Sequence, residues 1–366
     1  MPIYMDIHTV PGAEAKDVAE AHQKDLLLQH EYGCKCMTYW IDEAKGLAFC
    51  LIEGPDKKQV EEMHRHSHGL VPSKLIEVKT EVVEAFLGRI QDPEEAEISG
   101  TGLKLINESA SRILLVTDIT DPVLLQHILG AEKANDLLNK QNNIIRKELA
   151  THGGSEVEYA GSGLIASFSS AAKAIACALS IQKNLLNADE NLTGFKIVLN
   201  AGEPVERSDK LFGDTIQLAR YLSTIDNNNQ VIITSSVKEL IARDHFQKEQ
   251  NNFLTLSPQD EILLESICNQ LEQNWQEAGF TVTEFCKAMA MSNSQLYRKT
   301  MSLWNLSPNV LLKEYRLNKA KELLKKQRFN IAQTTFDSGF SSPSYFTKCF
   351  KKKFNLLPAA YLNLLQ

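Results

Sequence analysis

Histidines near the start of the chain are the side chains best suited to metal chemistry. His64 and His68 are four residues apart, so on a helix they lie one turn apart on the same face and can chelate one ion. His8 on a predicted strand and His22 on a predicted helix join them only if the fold brings the four together. Imidazole nitrogens favour nickel, copper, zinc or iron over magnesium and calcium. The same spacing also fits a polar helix face that carries histidines and no metal.

A second kind of chemistry is indicated near the other end of the chain. Thr281 with Glu284, and Ser292 with Gln295, have the spacing of capping boxes and predict two consecutive helix starts. Amide and guanidinium groups on the second helix can bond base edges, whereas hydroxyls and lysines suit phosphates. The predicted contact residues on this helix are Asn293, Ser294, Gln295, Arg298 and Lys299.

Residues 330–354 predict a second helix-turn-helix unit. Gly339 supplies the positive φ of a tight turn, and Ser342 with Pro343 opens the next helix. The predicted buried stripe of that helix is Tyr345, Phe346, Cys349 and Phe350. The polar residues predicted to contact DNA are Ser342, Ser344, Thr347, Lys348 and Lys351.

A linker helix is predicted between the two units. It opens at Ser307-Pro308 and runs to about Lys326. At ~1.5 Å per residue it spans roughly 28 Å, close to the ~34 Å between successive major-groove faces of a duplex. Its predicted core positions are Leu311, Leu312, Tyr315, Ala320, Leu323 and Leu324.

Charge is distributed unevenly along the chain. Residues 281–366 hold 14 Lys and Arg against 4 Asp and Glu, a net charge of +10. The whole chain carries −7, so residues 1–280 carry −17. A basic module on an acidic body is typical of a nucleic-acid-binding arm attracted by phosphate charge.

These C-terminal motifs resemble a known family. LSPNVLLKEYRLNKAKELL, followed by IAQTTFDSGFSSPSYFTKCFKKKFNLLPAAYL, is similar to the AraC/XylS transcription regulators of bacteria. The resemblance covers about 265–366 and implies sequence-specific binding to double-stranded DNA, with a homodimer and RNA polymerase as further partners. Thr335-Phe336-Asp337 departs from the small or aliphatic residues usual there, which is expected to alter packing before the turn without abolishing binding.

Length and composition limit the protein class. The 366 residues are 43% apolar and 23% charged, as in globular proteins, and suffice for two or three domains. No run approaches ~18 apolar residues, and MPIYMDIHTV lacks the features of a signal peptide. The 7 scattered cysteines fit reduced thiols. The sequence therefore predicts a cytoplasmic protein with no membrane partner.

Two polar joints, 91–104 and 242–260, predict domains at 1–92, 105–242 and 260–366. The first has the order β-α-β-β-α-β of a ferredoxin-like α+β domain. MDIH, AEAHQKDL, AFCLIEGPD and HRHSHGL resemble small bacterial nickel-binding proteins of that fold. The resemblance implies nickel, or another borderline transition metal, held by His8, His22, His64 and His68. Cys34 and Cys36, by contrast, are predicted to be packing residues.

The middle segment predicts an α/β domain. RILLVTDITD reads as a strand ending near Asp118, and TDIT, GGSEVEYAGSGLIASF, LNAGEPVE and FGDTIQLARYL resemble the class III nucleotide cyclases. That chemistry needs two carboxylates to hold two metal ions. The resemblance implies Asp118 as the first carboxylate, whereas Ser162 stands where the second belongs.

Other cyclase positions also depart from the pattern. Compared with the cyclases, Glu158 occupies the position of the purine-selecting lysine, Gln217 that of the ribose-orienting asparagine and Tyr221 that of the transition-state arginine. The sequence therefore predicts a domain without catalytic residues, kept for dimerisation or sensing. For the whole chain, the sequence predicts a multidomain transcription regulator. It has an all-α tandem helix-turn-helix domain at the C-terminal end and a metal-responsive sensor domain at the N-terminal end. The alternative is an active nucleotide cyclase with a DNA-binding appendage.

Overall fold

In a computed structural model, residues 1–100, 102–118, 121–157, 163–188, 195–226, 229–241, 250–326 and 330–365 are described. The cyclase-related positions Glu158 and Ser162 lie outside these residues. Within the described part, no helix is both long and apolar enough to cross a membrane.

The N-terminal domain has the predicted ferredoxin-like order. Its elements are β1 (Ile3–Thr9), α1 (Ala15–Leu28), β2 (Lys35–Asp42), β3 (Leu47–Glu53), α2 (Lys57–Ser67) and β4 (Lys74–Val78). The strands form one antiparallel sheet in the order β2-β3-β1-β4. Cys34 and Cys36 are buried in its core as predicted.

The closing strand covers only the first part of KLIEVKTEV (74–82), the stretch whose sequence reads as a strand. It ends at Val78, and α3 (Thr80–Leu87) follows, ending at Gly88 with φ of +83°. Val83, Phe86 and Leu87 share the buried side of that helix, a helical rather than a strand spacing. A small hairpin, β5 (Glu97–Ile98) with β6 (Lys104–Leu105), lies in the predicted joint.

The middle domain is built on a six-stranded sheet. Its first elements are β7 (Arg112–Asp118), α4 (Pro122–Leu129), α5 (Ala131–His152), β8 (Ser155–Val157), β9 (Ile165–Phe168) and α6 (Ala171–Ala188). The remaining ones are β10 (Lys196–Gly202), α7 (Gly213–Leu222), β11 (Val231–Ile233), α8 (Ser235–Glu239) and β12 (Phe253–Thr255). The strand order is β12-β11-β10-β7-β9-β8, with β10, β11 and β12 parallel and the other pairs antiparallel.

The strand β12 comes from the segment predicted as a polar joint. Phe253 is buried, and Thr255, two residues later, pairs with Ile233. Three residues are too few to show the alternation of a strand in the sequence. This strand forms because its backbone pairs with the edge of β11. The middle fold therefore continues past residue 242.

The C-terminal domain is all α-helical, as predicted. Its helices are α9 (Pro258–Asn274), α10 (Val282–Ala288), α11 (Asn293–Trp304), α12 (Pro308–Lys325), α13 (Ile331–Asp337), α14 (Pro343–Phe354) and α15 (Pro358–Asn363). The pairs α10–α11 and α13–α14 are the two helix-turn-helix units, and α12 is the linker helix between them.

One buried apolar cluster connects all three domains. It contains Trp40 and Phe86 from the N-terminal domain, Phe212 from the middle domain, and Leu271 and Trp304 from the C-terminal helices. The rings of Phe86 and Phe212 lie 4.8 Å apart between centroids. Burial of these large side chains holds the domains in contact.

Candidate DNA interface and metal centre

The first recognition helix, α11, presents its predicted contact face to solvent. Ser292 and Gln295 form the predicted capping box, and Leu296 on the opposite side is fully buried. Thr281 is the N-cap of α10 but makes no side-chain cap bond, so only the position of the first predicted box is right. The predicted contact residues Asn293, Ser294, Gln295, Arg298 and Lys299 are all exposed.

The second recognition helix, α14, starts at the predicted cap. The Ser342 hydroxyl accepts a hydrogen bond from the Tyr345 backbone N–H, and Gly339 has φ of +74°. Of the predicted DNA contacts, Ser344, Lys348 and Lys351 are exposed, and Ser342 and Thr347 are half-buried.

The predicted buried stripe of α14 is partly wrong. Phe346 and Phe350 are fully buried and Cys349 is half-buried, but Tyr345 is 54% exposed. Tyr345 precedes Phe346 by one helical residue, a rotation of about 100° that places it beside the polar row. On α11, Tyr297 is 48% exposed next to buried Leu296. Both tyrosines border the predicted contact faces, and Tyr345 was missed because its apolar ring suggested a core position.

The linker helix α12 ties the two units together. Leu311 and Leu312 pack with the first unit, whereas Leu317 and Leu324 pack with the second. Arg316 donates from Nε to the carbonyl oxygen of Trp275 at 2.9 Å. The apolar side of each recognition helix is therefore packed against the rest of the domain, whereas its polar side is exposed to solvent.

Gly339 is required by packing as well as by its turn. A Cβ at this position would lie 2.4 Å from the Trp275 carbonyl oxygen and 2.7 Å from Nε of Arg316. Only glycine therefore fits where the second unit meets α12. Thr335 and Phe336 precede this turn; Thr335 is buried and donates to the Ile331 carbonyl, whereas Phe336 is 55% exposed.

The middle domain contacts the first unit and α9 through polar bonds. Trp304 donates from Nε1 to the Thr224 hydroxyl at 2.8 Å. The Tyr221 hydroxyl donates to Oδ1 of Asn269 at 3.0 Å, and the Gln217 amide reaches the same oxygen at 3.3 Å. The two residues that replace cyclase catalytic positions are therefore engaged by α9 of the same chain.

Only one of the two cyclase carboxylate positions, Asp118, lies within the described residues, because Ser162 lies outside them. Asp118 ends β7, and burial raises its pKa despite nearby Lys196 and Arg220.

The linker helix α12 and the last helix, α15, contact the middle domain at a buried carboxylate, Asp121. It caps α4 by accepting from the Val123 backbone N–H, and it accepts from the Tyr361 hydroxyl at 3.1 Å. Lys321 and Lys325 of α12 lie 3.0 and 2.8 Å from its Oδ2. Burial opposes ionisation, but the two lysines prevail and lower the pKa of Asp121 to about 2.

In the N-terminal domain, three predicted metal ligands come together and two aspartates join them. Within the described residues, Asp6, His8 and His64 form one group able to hold an ion, and Asp25, His64 and His68 form another. His64 lies on α2, and His68 is the C-cap residue of that helix. Asp6 and His8 alternate on β1 and so share one face of the strand, a signal that the motif MDIH already contained.

His64 lies between the two aspartates and is fully buried. Its Nε2 is 3.0 Å from Oδ2 of Asp6, and its Nδ1 is 3.1 Å from Oδ2 of Asp25. Burial lowers the pKa of His64, but hydrogen bonds to Asp25 and Asp6 outweigh it and raise the pKa to about 10. Burial likewise opposes ionisation of Asp6, whose pKa His8 and His64 nevertheless hold well below its usual range.

The structure does not bring His22 to the other three histidines. Its ring lies 5.0 Å from that of Tyr39 on β2, and its Nε2 is 3.7 Å from Oδ2 of Asp92. His8 is part of β1, and His64 contacts Asp6 of the same strand. Among the described residues, neither metal-binding group contains His22.

Two family models match parts of the chain. Residues 285–363 match a helix-turn-helix domain, and residues 4–78 match the family described as nickel responsive protein SCO4226-like. The two matches lie at opposite ends of the chain, and neither covers half of its length.

Similar proteins share single segments with this chain. Histidine kinase P4 of Formosa agariphila is 38% identical over 110 residues, which are 30% of this chain and 8% of that protein. The HTH-type transcriptional regulator MtrA of Neisseria gonorrhoeae is 29% identical over 99 residues, 27% of this chain and 31% of that protein. The chain thus spans less than a third of either relative.

A solved structure is similar over a longer stretch. The adenylate/guanylate cyclase/hydrolase from Silicibacter pomeroyi is 23% identical, covers 38% of this chain and 80% of its own, and has a TM-score of 0.31.

Proposed function

We propose that this protein is a cytoplasmic, sequence-specific DNA-binding transcription regulator whose N-terminal domain responds to a divalent transition metal. The observation that carries the proposal is the pair of recognition helices, each with an exposed polar face and a buried back. Their residues suit both base edges and phosphates, and the net charge of +10 over residues 281–366 attracts a duplex.

Selection from a random duplex pool tests the DNA-binding part. The purified full-length chain should enrich one sequence containing two separated half-sites, because two recognition helices are joined by a rigid helix. Affinity for the enriched duplex should exceed that for a shuffled duplex at the same salt concentration. Equal affinity for both would contradict sequence-specific regulation.

Metal responsiveness is supported by the composition of the N-terminal cluster. His8 is 5% exposed, and neither of its ring nitrogens has a hydrogen-bond partner among the described residues. A buried polar atom without a partner costs free energy, which a bound metal ion would offset. Imidazoles and carboxylates together suit Ni²⁺ and neighbouring divalent metals. Such an ion would supply a charge that reorganises the cluster.

DNA affinity with and without metal tests this second part. Binding of the enriched duplex is measured at fixed salt with nickel, with zinc and with a chelator. A metal can shift the DNA-competent state only if it binds the two states with different affinity. A change in Kd on adding metal is expected, and an unchanged Kd would remove metal from the regulatory proposal.

We also propose that the middle domain braces the DNA-binding domain and does not catalyse cyclisation. Gln217 and Tyr221 are bonded to Asn269, so they do not face a nucleotide. Incubation with ATP or GTP and Mg²⁺ or Mn²⁺ should yield no cyclic nucleotide. A cyclic product that disappears in Asp118→Ala would instead establish the rival function, an active cyclase with a DNA-binding appendage.

We also propose that the chain forms a homodimer. The α7 face that carries Gln217 and Tyr221 is covered by α9 of the same chain. A dimer must therefore use another face. Sedimentation of the full-length chain with and without the enriched duplex measures its mass, and a monomer in both samples would exclude dimerisation. Recruitment of RNA polymerase is tested by transcription from a template that carries the enriched site.

A further inference from the structure

One loop of the middle domain, residues 203–212, contacts both neighbouring domains. This β10–α7 loop is closed by a hydrogen bond from the Phe212 backbone N–H to the Pro204 carbonyl oxygen at 2.9 Å. Val205, Leu211 and Phe212 are buried in the apolar cluster that connects the three domains. A loop whose ends meet and whose own side chains fill its interior forms a compact unit.

The N-terminal domain holds the β10–α7 loop at two points. Lys74 on β4 donates from Nζ to the backbone carbonyl oxygens of Arg207 and Ser208, to the latter at 2.8 Å. The Lys74 side chain is 26% exposed. Lys45, in the turn between β2 and β3, lies 2.5 Å from Oε1 of Glu203 at the start of the loop. Two lysines of the N-terminal domain therefore fix the beginning and the middle of the loop.

The DNA-binding domain holds the same loop through a side chain. The Arg207 guanidinium donates from Nη2 to Oε1 of Glu265 on α9 at 2.7 Å. The arginine side chain is 73% exposed, and an exposed ion pair contributes little free energy, so this contact can open and re-form readily. Among the described residues, no hydrogen bond or ion pair joins Lys74 directly to Glu265. Arg207 is thus bound by one domain at its carbonyl oxygen and by the other at its guanidinium.

The end of the β10–α7 loop is strained. Phe212 has φ of +53°, in the left-handed region that bulky side chains rarely adopt. Its ring is fully buried, 4.8 Å between centroids from that of Phe86 on α3 of the N-terminal domain. A strained backbone persists only while the surrounding packing imposes it. A shift of α3 would therefore let the loop relax.

The β10–α7 loop also lies one strand away from the buried histidine cluster. Lys74 on β4 is paired with Ile7 on β1. Ile7 stands between Asp6 and His8, two residues of that cluster. Paired strands are held in register by backbone hydrogen bonds, so a rearrangement at the cluster reaches Lys74 through the sheet.

From these contacts we propose that the β10–α7 loop transmits changes in the N-terminal domain to the DNA-binding domain, and that the two sets of contacts meet at Arg207. When Lys74 or Phe86 moves, the loop changes shape and the contact between Arg207 and Glu265 opens. Helix α9 then loses a restraint on its position against the middle domain. This path rests on the proposed regulation of DNA binding, and it requires no particular set of metal ligands.

Hydrogen exchange of the full-length chain, without metal or DNA, tests the path directly. Lys74→Met removes the ammonium group and keeps the apolar stem, so the fold should persist. We expect faster exchange of backbone amides in the loop and in α9 around Glu265. The matched control is Lys16→Met, because Lys16 also belongs to the N-terminal domain but pairs with Glu20 of its own helix. Faster exchange in the loop alone, no change in either segment, or the same change in the control would overturn the proposal.

Arg207→Ala tests the residue at which the contacts meet. Its side chain is exposed, so its removal should leave Tm nearly unchanged. In the double variant with Lys74→Met, the loop should still exchange faster than in the unsubstituted chain. The further effect of Lys74→Met on α9 should disappear, because the guanidinium that carries it is gone. An effect on α9 that persists without the guanidinium would refute the role of Arg207.

DNA affinity gives the functional test. Kd for the enriched duplex is measured at fixed salt for Lys74→Met, Glu265→Gln and the double variant. Independent residues should change Kd by factors that multiply to within about twofold. Coupling through the loop should cause a deviation of about three- to fivefold, up to the contribution of one exposed ion pair. Factors that multiply to within about twofold would overturn transmission to the DNA-binding domain.

The path and the proposed function fail in different ways. If the chain prefers no duplex sequence, sequence-specific regulation falls, and hydrogen exchange still decides the path. If Kd responds to metal but α9 exchange does not respond to Lys74→Met, metal-dependent regulation stands and the path through the loop falls.

Discussion

Oδ2 of Asp121 lies 2.8 Å from Nζ of Lys325, and this contact joins the middle domain to the linker helix of the DNA-binding domain. Lys321 lies one turn earlier on the same helix, 3.0 Å from the same oxygen. The Tyr361 hydroxyl, which is fully buried, completes the group. One carboxylate from the middle domain thus binds two helices, α12 and α15, that flank the second helix-turn-helix unit.

Asp121→Asn should destabilise the full-length protein by about 1–3 kcal/mol, because two lysines lose their shared counter-charge. Asparagine is also a good N-cap, so the start of α4 should be preserved. Chemical denaturation measures the change in the free energy of unfolding. The matched control is Glu20→Gln, which removes an exposed pair 3.9 Å from Lys16 and should cost less than about 0.5 kcal/mol. Equal effects of the two substitutions would show that the Asp121 group does not stabilise the docked arrangement.

Acid should remove the contribution of Asp121 in a defined pH range. The pKa of this carboxyl is lowered to about 2 from an ordinary 3.8. A lowered folded-state pKa stabilises the protein above the unfolded-state value, and that stability is lost as the pH falls through the folded-state value. The difference in unfolding free energy between the unsubstituted chain and Asp121→Asn should therefore shrink between about pH 4 and pH 2. A difference that stays constant over this range would contradict the ion-pair explanation.

The two recognition helices should respond differently to loss of charge. Arg298→Ala is expected to cost about 1–3 kcal/mol on the selected duplex and much less on a shuffled one, as for a base contact. Lys351→Ala should weaken binding to both duplexes and reduce the dependence of log K on log salt by about one. Both side chains are exposed, so folding should be unaffected. Equal losses on both duplexes for Arg298→Ala would reassign it to a phosphate.

Gly339→Ala should uncouple the second unit from the linker helix. Its Cβ would lie 2.4 Å from the Trp275 carbonyl oxygen at a φ of +74°, so steric overlap and backbone strain act together. We expect a loss of more than about 2 kcal/mol in unfolding free energy. Gly279→Ala is the control, since no atom lies within 4 Å of its Cβ position. Similar Tm values for the two variants would disprove the close contact.

Much of the fold was predictable from neighbouring residues. The N-caps Ser292 and Ser342, the positive φ of Gly339 and the buried Phe346 depend on partners a few residues away. Local hydrogen bonds and helical spacing therefore revealed the helix-turn-helix units. The predicted burial of Tyr345 was wrong because an aromatic residue at the border of a buried stripe can lie on the buried or on the exposed face of the helix.

The metal cluster shows what neighbouring residues leave undetermined. Asp6 and His64 are 58 positions apart, and their contact exists only because β1 and α2 pack together. The sequence identified histidines of the right type, but spacing could not exclude His22 or add Asp25.

By itself, the sequence determined the three domain types, the two helix-turn-helix units and the concentration of positive charge at one end of the chain. Tertiary structure alone decided which polar groups share a site. It brought Asp121 to Tyr361 across 240 positions and placed α9 over Gln217 and Tyr221. The local structure of a helix or turn depends on interactions between residues close in sequence. A site between elements forms only when the burial of apolar surface offsets the free-energy cost of desolvating charges that come from distant parts of the chain.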